Sequence, residues 1–396
     1  MLSYSFYDAD ARIKQYANAL VERGDKVDVI SLRQLGQPAR AVRNGVTVYR
    51  IQRRTVNERG FLSYLFRITR FLISAAFFIA NRHRSERYDV IHVHSVPDFL
   101  VFAALIPKLF GTPVVLDIHD LLPEFYASKF RVRRDSLVFR CLVLVERISI
   151  AFADHAIIAN HLWCERVAQR CGHPGKCTPI RNYPAPALFN SNLRNRRNGK
   201  FLITYPGSLN WHQGVDVAVR GFAKIKDKMP DAEFHVYGEG PSKQALIKLA
   251  DQLGLKDRVI FHSLLPTEEI VRVMANTDLA IEPKRACSEF GNEALSMKIF
   301  EFMALGVPLV VSRTRIHQYY YPDTLVKYYD DDNEEQLAAG ILFLRENASI
   351  RERQVASALN YVQANSWEIE KNRYLRIIDS LATRNPRVRE RVEKYC

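Results

Sequence analysis

Residues 292–312, "NEALSMKIFEFMALGVPLVVS", place Glu293 and Glu301 eight positions apart around a short amphipathic segment that reaches Gly306 and runs into an apolar, β-branched stretch. Just upstream, "LAIEP" (279–283) reads as a strand and "KRACSEFG" (284–291) as a loop. The helix is then expected to start near Ser296, with Glu293 in the loop ahead of it and Glu301 inside it. Ligands of open parallel sheets bind outside the carboxyl ends of the strands. A helix start there offers free N–H groups and positive potential, which suit a diphosphate. Carboxylates on its two sides can accept hydrogen bonds from hydroxyls flanking that diphosphate.

The same rhythm runs through the chain. "KVDVISL" (26–32), "VTVYRI" (46–51), "DVIHVHS" (89–95), "PVVLDIHD" (113–120) and "HAIIAN" (155–160) alternate with helical patterns, and so do "FLITYPGS", "AEFHVYGEG", "RVIFHSL", "LAIEP" and "VPLVVS" farther on. Alternation of buried strands and helices predicts an α/β fold of two doubly wound, Rossmann-like domains. The expected division is 1–188, a polar linker at 189–200 ("FNSNLRNRRNGK"), 201–365, and a helix over 366–396 that crosses back and carries a basic tail. Only "MLSYSF" precedes the first helical pattern, so the first strand reads as clipped.

At 396 residues, with 47% hydrophobic and 25% charged residues, the composition is globular and allows two cores. Fifty-seven Lys and Arg against 43 Asp and Glu leave a formal charge of +14, which favours anionic partners. No nucleic-acid motif accompanies that charge, and nucleic acid is not an expected partner. The six cysteines (141, 164, 171, 177, 287 and 396) form no CxxC pair, and the start shows no signal-peptide pattern, so the expectation is reduced thiols in the cytoplasm. "CGHPGKC" (171–177) lacks a fourth metal ligand at finger-like spacing. "DAD" (8–10) and "DDD" (330–332) stand at helix starts, where Asp caps, and no metal site is expected from them. "GEGP" is a tight turn rather than a dinucleotide fingerprint.

Residues 49–87 carry nine Arg against two Glu around the ten-residue apolar run "FLISAAFFIA", which is too short to span a bilayer. Two readings are open: residues 61–80 lie as an amphipathic helix on an anionic membrane surface, on the inner face of the cytoplasmic membrane, or they form a buried helix of the first domain.

The pair Glu293 and Glu301 also matches a signature: Glu, seven residues, Glu. With the tail "FEFMALGVPLVVS", the chain resembles the retaining GT-B glycosyltransferases of the large family 4 (glycosyltransferase group 1) class. The resemblance extends over nearly the whole chain: "YPGSLNWHQGVDVAVRGFA" (205–223), "FHVYGEGP" (234–241) and "RVIFHSLLPTEEI" (258–270) in the second domain, "DVIHVHSVPDFLVFAA" and "VVLDIHDLLPEFYASKF" in the first. It implies two domains facing each other across a cleft. Glu301 would bind the ribose hydroxyls of the donor nucleotide, and Glu293 would bind hydroxyls of the donor sugar at the reacting centre. His119 would face that sugar, and Asp10 with Arg12 would border the acceptor. Gly207, Ser208, Gly238, Asn292, Ala294 and Leu295 complete the implied donor set. His92 and His94, on one strand, are read as structural, only one of them pointing to a given face.

One departure stands out. The family usually has an Arg right after the Gly of the first loop and a Lys a few residues on, and both neutralise the leaving diphosphate. Here those places hold Ser208 and Gln213. Replacement charges are available in Lys284, Arg285 and above all Lys298, because a Lys in the first turn of a helix is unfavourable unless an anion meets it.

The resulting expectation is a metal-independent, cofactor-free transferase that moves a sugar with retention from a nucleotide-diphosphate donor to a glycan or lipid-linked acceptor, in bacterial surface polysaccharide or lipid-linked glycan synthesis. A GT-B epimerase or hydrolase, and a non-catalytic nucleotide-sugar-binding subunit, are the alternatives.

Overall fold

The structure is a computed structural model that describes residues 1–54, 61–130, 132–195 and 199–385. The basic tail beyond Asn385 lies outside the described residues. Two compact units emerge: Met1–Asn182 together with Glu368–Cys396, and Tyr183–Trp367. The boundary therefore falls at 182/183 rather than 188. Within the expected linker, Arg194 donates to the Thr277 carbonyl at 3.0 Å.

The first unit holds an eight-stranded sheet made of β1 (Leu2–Ser3), β2 (Asp28–Arg33), β3 (Arg40–Arg43), β4 (Val46–Arg53), β5 (Ile91–His94), β6 (Val114–Ile118), β7 (His155–Ile158) and β8 (Cys177–Pro179). Their order is β3-β4-β2-β1-β5-β6-β7-β8, and only the β3–β4 pair is antiparallel. Buried runs such as β6, VVLDI, occupy the middle, as both-face coverage requires. Its helices are α1 (Ala11–Arg23), α2 (Phe61–Glu86), α3 (Leu105–Leu109), α4 (Leu122–Phe130), α5 (Leu137–Phe152) and α6 (His161–Cys171). The two-residue β1 is central, pairing Leu2 with Ile30 on one side and with Val93 on the other.

Helix α2 bears on the two open readings of residues 61–80. By length and composition Ser63–Glu86 could cross a membrane, with a mean hydropathy of 1.4 over its most apolar window. Yet Ile68, Phe71, Ala75 and Ile79 form a buried stripe at helical spacing, and Phe71 meets Tyr4 edge-on at 5.1 Å. One face of α2 is thus a core face of the first unit.

The second unit holds six parallel strands, β9 (Phe201–Pro206), β10 (Ala232–Tyr237), β11 (Val259–His262), β12 (Leu279–Glu282), β13 (Leu309–Ser312) and β14 (Lys327–Tyr329), in the order β11-β10-β9-β12-β13-β14. Its helices are α7 (Val215–Ile225), α8 (Lys243–Gln252), α9 (Thr267–Ala275), α10 (Glu289–Glu293), α11 (Met297–Ala304), α12 (Arg315–Tyr320), α13 (Glu334–Glu346) and α14 (Ala348–Ala364). A last helix, α15 (Trp367–Ala382), packs in the first unit, where Tyr374 lies 4.2 Å from Tyr16 and 3.1 Å from His92 Nδ1.

Strand order fixes where each sheet can bind. From β9 the chain steps outward to β10 and β11, then returns to β12 on the other side, so the connections diverge between β9 and β12. That is a topological switch point, and the crevice opens at the carboxyl ends of the strands. In the first unit the same reversal falls between β1 and β5. A cavity of about 580 Å³ beside Met1, Asp28 and Tyr374 sits at the opposite, amino-terminal ends of β2 and β5.

Asp10 caps α1, accepting from the Ile13 amide at 3.2 Å and from Ser5 Oγ at 3.0 Å. Asp10→Ala is expected to lower the stability of the first unit by about 1 kcal/mol in urea unfolding. Unchanged stability would return Asp10 to the acceptor-side role.

Candidate active site

At the second switch point the carboxyl end of β12 is Glu282, only 1% exposed. Facing it is Lys298, in the first turn of α11, whose ammonium lies 3.1 Å from Glu282 Oε2. The same Nζ is 3.1 Å from Tyr205 Oη and 3.4 Å from Gln213 Oε1, and it stands 4.2 Å above the Tyr205 ring. Burial alone would lower the Lys298 pKa; Glu282 and Tyr205 outweigh it and hold the group charged. Burial would likewise raise Glu282, but Lys298 and Lys284 keep it ionised. The pair corrects one premise: Lys298 is no liability in the empty protein, because a buried carboxylate already meets it.

Gly207, after β9, explains how the ammonium fits. A Cβ there would stand 3.0 Å from Lys298 Nζ and 3.1 Å from Tyr205 Oη. Ser208 is exposed, and its carbonyl lies 3.1 Å from Tyr205 Oη. Gly238, just after β10, backs onto the Gly207 carbonyl, 1.8 Å from where a Cβ would be. Gly214 adopts φ +66°, with a Cβ position 1.9 Å from the Pro283 carbonyl, so the loops after β9 and β12 are pressed together where only glycine fits.

Glu301 sits half-buried in α11. Burial, reinforced by Glu282 and opposed by Lys298, pushes its carboxyl up to about 7. Glu293 is not in a loop: it ends the one-turn helix α10, formed because Ser288 Oγ caps it by accepting from the Gly291 amide at 3.1 Å. Glu293 is buried and accepts from Arg315 at 2.9 Å, while Asn292 Oδ1 accepts from the Arg315 amide at 2.7 Å. Ala294 is buried, its carbonyl taking a 2.7 Å hydrogen bond from Lys284 Nζ, and Leu295 is half-buried beside it.

Two replacement cations are thereby engaged elsewhere. Lys284 is buried and holds the Ala294 carbonyl. Arg285 is buried, donates to Asp216 at 2.6 Å, pairs with Asp332 and lies over the Trp211 ring. The acidic run after β14 is therefore more than a helix start: Asp332 binds Arg285, Asp331 accepts from the Cys287 amide at 2.7 Å, and Asn333 is the residue that caps α13.

In the first unit, the residues expected near the acceptor form a buried network at the carboxyl ends of β5 and β6. Arg12 grips both Asp117 oxygens, Nε to Oδ2 at 2.8 Å and the terminal nitrogen to Oδ1 at 2.7 Å, and donates to Asn182 and the Ile180 carbonyl. At 3% exposed, its guanidinium is committed to these protein partners. His119, 21% exposed, is the outward end of this network, with Nε2 3.0 Å from Asp117 Oδ2 and 3.2 Å from His94 Nδ1. Burial would push Asp117 up, but Arg12 and His119 hold it well below the usual carboxylate range. His92 and His94 point the same way, ring centroids 4.1 Å apart, because strand residues two apart share a face. Among the described residues His92, His94 and Asp117 are the group that could reach one metal ion. Arg12 already occupies that carboxylate, and a cation there would meet a guanidinium.

Glu282, Tyr205 and Asp117 were not singled out from sequence. Glu282 and Asp117 share a signal that could have found them: a lone acid at the carboxyl end of an otherwise apolar parallel strand.

Comparisons with known proteins agree with this geometry. Residues 189–360 match the family model of glycosyl transferases group 1, and residues 9–183 that of the glycosyl transferase 4-like domain. The uncharacterized glycosyltransferase YqgM of Bacillus subtilis is 30% identical over 61% of this chain and 64% of its own length. The sulfoquinovosyl transferase SQD2 of Arabidopsis thaliana is 24% identical over 76% of this chain and 56% of its own. The matched region thus spans less than two thirds of either relative. Among solved structures, sucrose-phosphate synthase from Thermosynechococcus elongatus superposes with a TM-score of 0.76 at 16% identity, covering 96% of this chain and 98% of that one. Anabaena Alr3699/HepE, in complex with UDP and glucose, does so with a TM-score of 0.72 at the same identity and coverage. At that identity the likeness shows the fold, GT-B, with its two Rossmann-like units.

Removing one partner of the Glu282–Lys298 pair leaves a buried charge, so Glu282→Gln and Lys298→Met are each expected to cost the second unit about 3–5 kcal/mol, and the double variant less than either. Denaturant titrations of the three variants check this; additive losses would mean the two side chains do not stabilise each other.

Proposed function

Because the chain belongs to the glycosyltransferase group 1 family, we propose that it transfers a sugar from a nucleoside-diphosphate donor to a hydroxyl acceptor, with the diphosphate over the switch point of the second unit. The observation that carries this reading is the ammonium of Lys298, held between Gly207 and Glu282 in the first turn of α11. A diphosphate arriving there meets the lysine and the positive end of the helix together. Gln213, the longest of the three Lys298 contacts at 3.4 Å, is the one that yields.

Glu301 and Glu293 lie on the two sides of that helix start. Glu301 is assigned to the ribose hydroxyls, and Glu293, braced by Arg315, to the donor sugar. In this reading the leaving diphosphate is neutralised by side chain and helix rather than by a metal ion. Retention follows if the acceptor attacks the face from which the phosphate departs, with Glu293 binding hydroxyls and not forming a bond to carbon. His119, fixed by Asp117, supplies an oriented imidazole on the acceptor-binding unit. The complexes of HepE with UDP and glucose make uridine nucleotides the first donors to try. A bacterial surface glycan or lipid-linked intermediate is the acceptor class we propose.

The test is a product assay with sugar nucleotides. Since Lys298→Met alone strands Glu282, turnover is compared in the neutral pair Glu282→Gln with Lys298→Met. A loss of roughly 100-fold is expected, partly recovered by Ser208→Arg, which restores the family's charge. Parental turnover in the neutral pair would exclude Lys298 from the reaction. Donor binding without product in the parent would favour a non-catalytic subunit, and rapid turnover without acceptor a hydrolase or epimerase.

A second expectation concerns pH. Glu301 titrates at about 7, so its charged form, the better hydroxyl acceptor, predominates above that pH. Affinity for a sugar nucleotide, whose diphosphate does not titrate there, should rise as pH increases through about 7, and Glu301→Gln should flatten the profile. A pH-dependent rise that survives in the Gln variant would assign it to another group.

A further inference from the structure

Arginine is used in two ways at the carboxyl ends of these sheets. Arg12 and Arg285 are 3% and 4% exposed, and each commits more than one guanidinium nitrogen to acids: Arg12 to both oxygens of Asp117, Arg285 to Asp216 and Asp332. Arg315, in the first turn of α12, departs from that pattern. One terminal nitrogen, Nη1, meets Glu293 Oε1 at 2.9 Å, and among the described residues its guanidinium has no other partner. The Arg315 side chain is 60% exposed, against 5% for Glu293.

The backbone around Arg315 is held independently of that contact. Asn292 Oδ1 accepts from the Arg315 amide at 2.7 Å, and the Thr314 side chain caps α12 by accepting from the His317 amide at 3.3 Å. Glu293, at the end of α10, is already placed by the Ser288 cap. Bracing a carboxylate so placed uses one N–H of a guanidinium that has five. Arg313, two positions earlier, pairs with Asp330 at 3.2 Å, which leaves Arg315 as the arginine of this loop with donors to spare. Gln318 and Tyr319, three and four positions on, lie on the same side of α12 and are exposed. An amide and a ring thus continue the surface that Arg315 begins.

We propose that Arg315 selects a donor sugar that carries a carboxylate, as uronic acids do. The inference rests on the reading of Glu293 as the residue that binds the donor sugar. With Glu293 on the hydroxyls, the guanidinium beside it takes the carboxylate of the same ring through two parallel N–H···O bonds. A neutral sugar leaves those donors in water and gains nothing from them. The diphosphate is provided for by Lys298 and the start of α11, so the charge at Arg315 answers to a second anionic group on the donor.

Calorimetry with matched donors tests this. UDP-glucose is compared with UDP-glucuronic acid, and GDP-mannose with GDP-mannuronic acid. Each pair differs only in a primary alcohol against a carboxylate, and UDP and GDP alone are the controls. In the pair whose nucleotide binds, the acidic sugar should bind roughly tenfold more tightly at about 0.05 M NaCl, and that preference should shrink severalfold by about 0.5 M. Arg315→Gln should bring the ratio close to one, and Arg315→Lys should keep part of it. Arg313→Gln, which removes a charge from the same loop, should leave it unchanged. Because the readout is a ratio within each variant, a general loss of affinity from an unbraced Glu293 does not enter it. A nucleotide that binds with no preference for its acidic sugar would overturn the inference and leave the transferase reading standing. So would a preference that survives in Arg315→Gln or is lost equally in Arg313→Gln. If neither UDP nor GDP binds, the donor-site reading fails and the inference falls with it.

Discussion

A buried ion pair, Glu282 with Lys298, organises the second unit's binding end. The carboxylate closes β12, the ammonium opens α11, and 3.1 Å separates them at the point where the strand order reverses. Much around them follows. Gly207, at φ +157°, leaves room for the ammonium, which a Cβ there would crowd at 3.0 Å. Tyr205 turns its hydroxyl and ring to the same charge. Glu301 titrates near neutrality because burial raises it, Lys298 opposing and Glu282 adding a little. Burying both charges is expensive, and such a pair adds little net stability compared with apolar residues. Its retention at a switch point is better explained by a partner that uses the charge.

The segment between β12 and α11 has anchors of its own. Arg285 is gripped by Asp216 and Asp332, Lys284 by the Ala294 carbonyl, and Asn292 by α12. These contacts take two basic residues out of contention as phosphate ligands and use them to hold Glu293 and the start of α11 in place. The first unit repeats the device: Arg12 is spent on Asp117, and Asp117 orients His119. In both units an acid at a strand's carboxyl end fixes a cation that, by sequence alone, looked free for ligand.

Much of the fold was legible because buried parallel strands advertise themselves as short apolar runs. The strands that escaped were β3, β8 and β14, which are too short or too exposed to form such a run: β3, RAVR, is mostly exposed, and β8, CTP, is half-buried throughout. Glu293, Glu301 and Lys298 could be found from their spacing around one helix start. Their partners could not, because Glu282 and Tyr205 reach Lys298 across the sheet from 16 and 93 positions away. The one-turn helix at Glu293 depends on a single Ser288 cap. The histidines of β5 were misread on geometry alone, since two positions along a strand is a full period.

The central claim is that Lys298 serves the diphosphate, and calorimetry addresses it most directly. Nucleoside and nucleoside diphosphate are titrated into the parent and into the neutral pair Glu282→Gln with Lys298→Met. The account predicts that the diphosphate's advantage over the nucleoside falls by roughly tenfold or more in the neutral pair while nucleoside affinity holds, as expected when a charged hydrogen bond is lost. An undiminished diphosphate advantage would contradict it.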